Sequence, residues 1–329
     1  MQSHVQLPRP LLSLMTAAYP WLLAAILIGF VWQTVAARRA AAPLPPPEAD
    51  AGSLNCQTLS HEGMLGPIPE ASGLALSART PGILWSMNDS GTPVVFAIDV
   101  MGRVLSSVRI TGADINNWED ISVGPCGNGS CLYVADTGNE GGTQRNDVVI
   151  YRVPEPAPTD SRTAPAETFN AAYPADEDHE SEAMFVAGGQ FYLVTKGHPS
   201  LVFRFPRGMQ AGTLATLERV GQVPTEQFQA TTIRRQTRIT DAETSPDGKW
   251  VVMRTNKALM LYRAADVIAG HFDMFWRLDL APLDEPQGEG VAMTNEGDVY
   301  LAGEGGGHGL PGTFAHLKCA LPAGGPPGS

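Results

Sequence analysis

The sequence predicts an all-β protein built as a single β-propeller of five four-stranded blades, with six blades as the alternative count. Short apolar runs alternate with turn-forming residues, and from Leu54 onward no long stretch has a helical period. Segments that begin alike also recur about every fifty residues, the repeat length of a propeller blade. Glycine and proline supply 35 and 27 of the 329 residues, as a chain with many tight turns requires. The 22 basic against 34 acidic residues give a net charge of −12. With no Lys/Arg-rich run to make a positive footprint, nucleic acid is excluded as a partner.

Residues 1–10 form a short N-terminal segment. Residues 11–37 read as a transmembrane anchor or signal-anchor: 28 uncharged residues separate Arg9 from Arg38, and a helical span needs only about 20. Tyr19, Trp21 and Trp32 suit the membrane interface, and the Arg38–Arg39 pair follows directly, both of which favour a retained anchor over a cleaved signal. Retained, the segment holds the protein in the inner (cytoplasmic) membrane as a single-pass protein, with the body on the periplasmic or extracellular side. Cleaved, it leaves a secreted protein. Residues 38–53 form a Pro/Ala-rich linker, 54–319 the propeller, and 320–329 a disordered tail rich in glycine and proline.

The four cysteines lack zinc-site spacing, and two disulfides are the economical pairing. Cys126 and Cys131 flank the turn Gly127-Asn-Gly-Ser130, which places them across a hairpin. Cys56 and Cys319 lie at opposite ends of the body, and their pairing requires the two ends to meet. Disulfides persist in oxidising compartments, which places the body outside the cytoplasm; four buried free thiols in a cytosolic protein are the alternative.

The five first strands start at Ser72, Glu119, Glu182, Asp241 and Glu289. Second strands end in polar residues at Asn88-Asp89, Asp136, Lys196, Arg254-Thr255 and Glu304. Third strands follow each second strand, and fourth strands follow in the first four repeats, for instance Val104–Val108 and Phe275–Asp279. The fifth repeat has none, and Leu54–Leu59 is available to complete it. That addition closes the ring, leaves no raw edge, and makes Cys56–Cys319 a clasp on the closure.

Several phrases, Glu70-Ala-Ser-Gly-Leu-Ala75, Asn88-Asp-Ser-Gly91, Trp118-Glu-Asp-Ile121, Tyr133-Val-Ala-Asp-Thr-Gly-Asn139, Asp241 to Gly248 and Gln287-Gly-Glu-Gly290, resemble those of exported bacterial β-propeller proteins. In layout the chain is also similar to the SMP-30/gluconolactonase and paraoxonase lactonases and to esterase-like phytase proteins. That resemblance implies a calcium-type metal held by Glu, Asn and Asp at the channel mouth.

In a propeller the start of each first strand and the end of each second strand converge on one face. The ligand-binding candidates are therefore Glu70, Asn88, Asp89, Trp118, Glu119, Asp136, Lys196, Arg254 and Glu304. The metal candidates are Glu119, Asp136, Glu182, Asp241 and Glu289, whose hard oxygens suit calcium better than zinc. Catalytic candidates are His179 as a general base, with Lys196 and Arg254 steadying negative charge. Each has a structural alternative: the acids can bind backbone N–H groups between blades, Trp118 can be a core plug instead of a stacking wall, and His179 can be an exposed loop residue. There is no nucleophile elbow, H-E-x-x-H, Walker loop or dinucleotide fingerprint. Two functions fit: a membrane-tethered propeller binding a small-molecule or protein ligand at its acidic mouth, or a calcium-dependent hydrolase of a lactone, ester or phosphate ester.

Overall fold

A computed structural model describes residues 52–139, 147–175, 177–224, 237–306 and 309–321. The span expected at 11–37, nearly all of the 38–53 linker and most of the 320–329 tail lie outside these residues. Among the described residues no helix is long and apolar enough to cross a membrane.

Five sheets form the five blades of a propeller. Blade one contains Ala71–Leu76, Ile83–Asn88, Val94–Asp99 and Val104–Thr111, and blade two Trp118–Cys126, Gly129–Asp136, Asp147–Pro154 and Glu167–Ala172. Blade three contains Ser181–Ala187, Gln190–Thr195, Ser200–Arg204 and Glu218–Val223, and blade four Ile239–Thr244, Trp250–Thr255, Ala258–Arg263 and Trp276–Asp279. Blade five contains Gln287–Met293, Asp298–Glu304 and Gly312–Cys319, completed by the N-terminal Cys56–Leu65.

The apolar pattern follows position within the blade. Inner strands are covered on both faces by neighbouring blades, so Ser181–Ala187 and Gln190–Thr195 are buried at every residue. The outermost Val104–Thr111 buries only Val108 and Ile110, and its other residues are partly or fully exposed. Five apolar clusters fill the spaces between successive blades, one at each junction. Trp85, Trp118 and Tyr151 meet between blades one and two, and Leu65, Tyr300 and Phe314 between blades five and one. Each such side chain stabilises the fold by about 1.5–3 kcal/mol relative to exposure.

The closing strand is longer than the sequence indicates and starts two residues later, at Cys56 instead of Leu54. It pairs antiparallel with Gly312–Cys319, Cys56 opposite Cys319, and the register shifts between Thr58 and Ser60 and again between Ser60 and Gly63. Gly63 permits that passage, because a Cβ there would lie 2.9 Å from the Phe314 Cβ. Both expected disulfides are present, Cys56–Cys319 and Cys126–Cys131.

Three short strands add parallel to outer edges. Arg162–Pro165 adds to blade one, Leu214–Thr216 to blade two and Gly52–Ser53 to blade four. Chain travelling between blades thus covers an edge it passes. Leu214–Thr216 and Glu218–Val223 account for part of the 212–239 stretch in which a sixth blade could have been sought, and they belong to blades two and three.

Candidate functional site

Each first strand carries an irregularity at the same point. Pairing with the second strand skips one residue between Trp118 and Asp120, Ser181 and Ala183, Ile239 and Asp241, and Gly288 and Gly290, and in blade one two residues between Ser72 and Ala75 stand opposite the single Ser86. The skipped residues are Glu119, Glu182, Thr240 and Glu289. A bulge bends its strand and re-aims the extra side chain, and here it presents three of the candidate metal ligands at one channel mouth.

Carboxylate oxygens of Glu119, Glu180 and Glu182 lie within 4.8 Å of one another. Lys196 enters this group from the end of its second strand, with Nζ 2.9 Å from a Glu180 oxygen and also in contact with Glu182. Asn117 donates to Glu119, and Gly138 opposite has no Cβ because that space holds both groups. Glu289 lies in the same field: Glu180, Glu289 and Asp89 all act on Glu119, and Glu304 acts on Glu289.

Crowded acids and burial shift these groups. Burial first, then neighbouring acids, push Glu119 up to about 8 even though Lys196 pulls it down. Glu289 is likewise pushed up to about 8 by burial and by Glu304. Burial and the adjacent Glu70 raise Asp89 to about 7, and its Oδ1 is buried without a hydrogen-bond partner. Glu70 itself is exposed and accepts the Ser90 hydroxyl, while Asn88 accepts the Glu70 N–H. Glu304 accepts a hydrogen bond from Gln287.

Four expected site residues lie elsewhere. Asp241 is one register past the bulge, equivalent to Asp120 and not to Glu119; the bulge residue of blade four is Thr240. It is fully buried and takes backbone N–H groups from Val291 at 2.5 Å and Leu74 at 3.2 Å. Asp136 is buried and accepts the N–H groups of Asn116 and Asn117, which fixes the loop before blade two. Arg254 is completely buried; it pairs with Glu285 at 2.8 Å and donates to the carbonyls of Gly290 and Ala302, so it ties blade four to blade five. Trp118 is 0% exposed and donates to the Asp114 carbonyl from inside an apolar cluster, so no ligand can stack on it.

His179 is partly buried, packs against Tyr173 and Phe203, and lies 2.8 Å from a Glu177 oxygen. Those contacts hold the ring in place beside the cluster-forming Glu180.

Two central residues escaped the sequence reading. Asp120 Oδ1 takes the Ile121 N–H at 2.6 Å and its Oδ2 the Met184 N–H at 2.5 Å. Asp120 and Asp241 together accept the N–H groups of Leu74, Ile121, Met184 and Val291, on the first strands of blades one, two, three and five. The two carboxyls also contact each other, and burial and that contact hold Asp120 well above the usual carboxylate range. Below them Glu243, on Asp241's own strand, accepts the Ser122 hydroxyl from across the axis at 2.7 Å. Burial also pushes Glu243 well up. The available signal was the i, i+2 spacing of Asp241 and Glu243, which puts both on one face of a strand.

No family model matches the chain, and no curated protein sequence does. Among solved structures, the chain is similar to the PQQ-bound form of aldose sugar dehydrogenase from Streptomyces coelicolor, at 10% identity over 84% of this chain and 100% of that one, TM-score 0.48. It is also similar to a gluconolactonase from Xanthomonas campestris, at 10% identity over 85% and 99% of the two chains, TM-score 0.46. The likeness is one of propeller architecture, and no residue is assigned a role from it.

Proposed function

We propose that this chain is a membrane-tethered extracytoplasmic propeller whose acidic mouth binds a ligand through a hard divalent cation, calcium being the best fit. The supporting observation is the approach of Glu119, Glu180 and Glu182 to within 4.8 Å of one another from two adjacent blades. Oxygen-only donors of this density suit calcium, and Glu289 adds negative charge beside them. The tether and compartment rest on the apolar run at 11–37 and on the two disulfides.

Thermal unfolding in calcium and in chelator tests the proposal. A ligand present at about a hundred times its Kd stabilises the folded state by about 2.7 kcal/mol, which for a domain of this size is a rise in Tm of about 5–10 °C. Glu182→Gln should remove most of that rise. An unchanged Tm at millimolar calcium would overturn the cation reading.

Calcium-dependent hydrolysis of a lactone, ester or phosphate ester is the second reading, favoured by Lys196 standing beside the cluster. In it the cation polarises the substrate while the Lys196 ammonium steadies developing negative charge. A lactone and phosphoester panel comparing the parent protein with Glu182→Gln separates binding from chemistry.

A further inference from the structure

The mouth opposite the acidic ring is a funnel with a cavity volume of about 1200 Å³, to which all five blades contribute. Its wall includes Leu76, Val123, Val186 and Met293, from blades one, two, three and five, and Glu243 contributes from blade four. The volume is somewhat above the roughly 300–1,000 Å³ of common small-molecule sites.

The charges around this funnel are unequal. Glu155, Glu243, Asp247 and Glu296 line it against one base, Arg79. Two of these acids are occupied: Glu155 accepts from Ser77, Trp85, Ser130 and the Arg79 N–H, and Asp247 pairs with Lys249. Arg79 is turned to the Glu155 carbonyl. Glu243 is different, because it is 4% exposed, accepts the Ser122 hydroxyl, and forms no ion pair among the described residues. Burial favours the protonated Glu243 carboxyl, which also takes the Val123 N–H, and an ammonium that brings its own apolar body can take the place of that proton, whereas an anion would also face Glu155, Asp247 and Glu296.

We propose that this funnel is a second binding site, for a primary organic ammonium with an aliphatic body, its head paired with Glu243 and its chain against Leu76, Val123, Val186 and Met293. Pairing exchanges the Glu243 proton for the ammonium head and releases one proton to solvent, while the chain is removed from water along the wall. The site is independent of the cation reading at the other mouth.

The probe is n-hexylammonium, titrated into the full chain while the methyl resonances of Val123, Val186 and Met293 are followed, with n-hexanol and hexanoate as controls. Hexylammonium should shift these methyls saturably, hexanol should bind about tenfold more weakly or worse, and hexanoate should leave them unmoved. Glu243→Gln should weaken hexylammonium by about tenfold or more, and saturating calcium should not displace it. Equal affinity in Glu243→Gln, equal binding of hexanol, or shifts confined to residues near Glu119 and Glu182 would overturn the proposal. Should Glu243→Gln fail to fold, Leu76→Trp fills the funnel from its partly exposed wall, and retention of hexylammonium binding in that variant would be equally fatal.

Discussion

Lys196 is the cation that the cluster already contains, and its removal distinguishes a binding site from a structural ion-pair network. With Lys196→Met the contacts to Glu180 and Glu182 are lost, so the apo protein should unfold at a lower temperature while calcium should raise Tm by more than in the parent. A purely structural network would give the first effect without the second. The acids at this mouth also set a pH dependence. Asp89, Glu119 and Glu289 are raised to about 7, 8 and 8 in the folded state, so the native state holds protons that the unfolded chain releases. Their contribution to stability is fully present below about pH 4 and is lost as pH rises through 7 and 8. In chelator, urea unfolding should therefore show lower stability at pH 8.5 than at pH 5.5, with a smaller difference in Glu119→Gln. Asp99, Asp247 and Asp298, held low by Arg103, Lys249 and Lys318, act in the opposite sense but below this window. Arg254 belongs to the framework. Arg254→Leu would leave Glu285 buried without its partner, and the unfolding free energy measured in urea should fall by about 3–5 kcal/mol.

At the scale of elements, the bulge in each first strand decides which side chain faces the mouth and which faces the axis. Gly73 shows how tightly that geometry is fitted: its φ is +77°, and a Cβ there would meet Asp120 Oδ1 at 2.5 Å and the Ile121 nitrogen at 2.9 Å. Gly73→Ala combines backbone strain with a clash against a buried carboxyl, and should cost more than the roughly 1 kcal/mol of an ordinary glycine substitution. Urea midpoints of the two proteins measure it, with Gly82→Ala, where nothing lies within 4 Å although φ is also positive, as the reference for strain alone. The blades were legible in the sequence because inner strands are continuous apolar runs and their hairpins carry glycine, asparagine and aspartate. The bulge was not legible, because a one-residue insertion leaves the apolar pattern of Asp241 to Ser245 intact while moving Asp241 from the mouth to the axis. Arg254 and Trp118 misled for a related reason: a polar or aromatic residue at a strand end reads the same whether the neighbouring blade covers it or not. Glu180 lay in a loop with no periodicity to locate it, although its neighbour Glu182 was placed correctly on the first strand of blade three.

For the whole molecule, the two disulfides close loops of very different length. Cys56 and Cys319 are 263 residues apart in sequence, Cys126 and Cys131 only 5. Chain-entropy reasoning gives about 5.5 kcal/mol for the first and about 2 kcal/mol for the second. Cys56→Ser with Cys319→Ser should thus lower the urea midpoint well beyond the effect of replacing Cys126 and Cys131, and hydrogen exchange should rise first along Cys56–Leu65 and Gly312–Cys319. The same clasp fixes a sequence of events during synthesis. Cys56–Leu65 is made before any other strand of its sheet, yet its partner strand is the last of the propeller to leave the ribosome. At elongation rates of about 5–20 residues per second, the closing strand waits on the order of tens of seconds. Four blades can condense during that interval, while the first-made strand remains an unpaired β-segment bearing a free thiol. Cys56 is therefore a thiol without its native partner for most of synthesis, whereas Cys126 and Cys131 can pair as soon as their hairpin emerges.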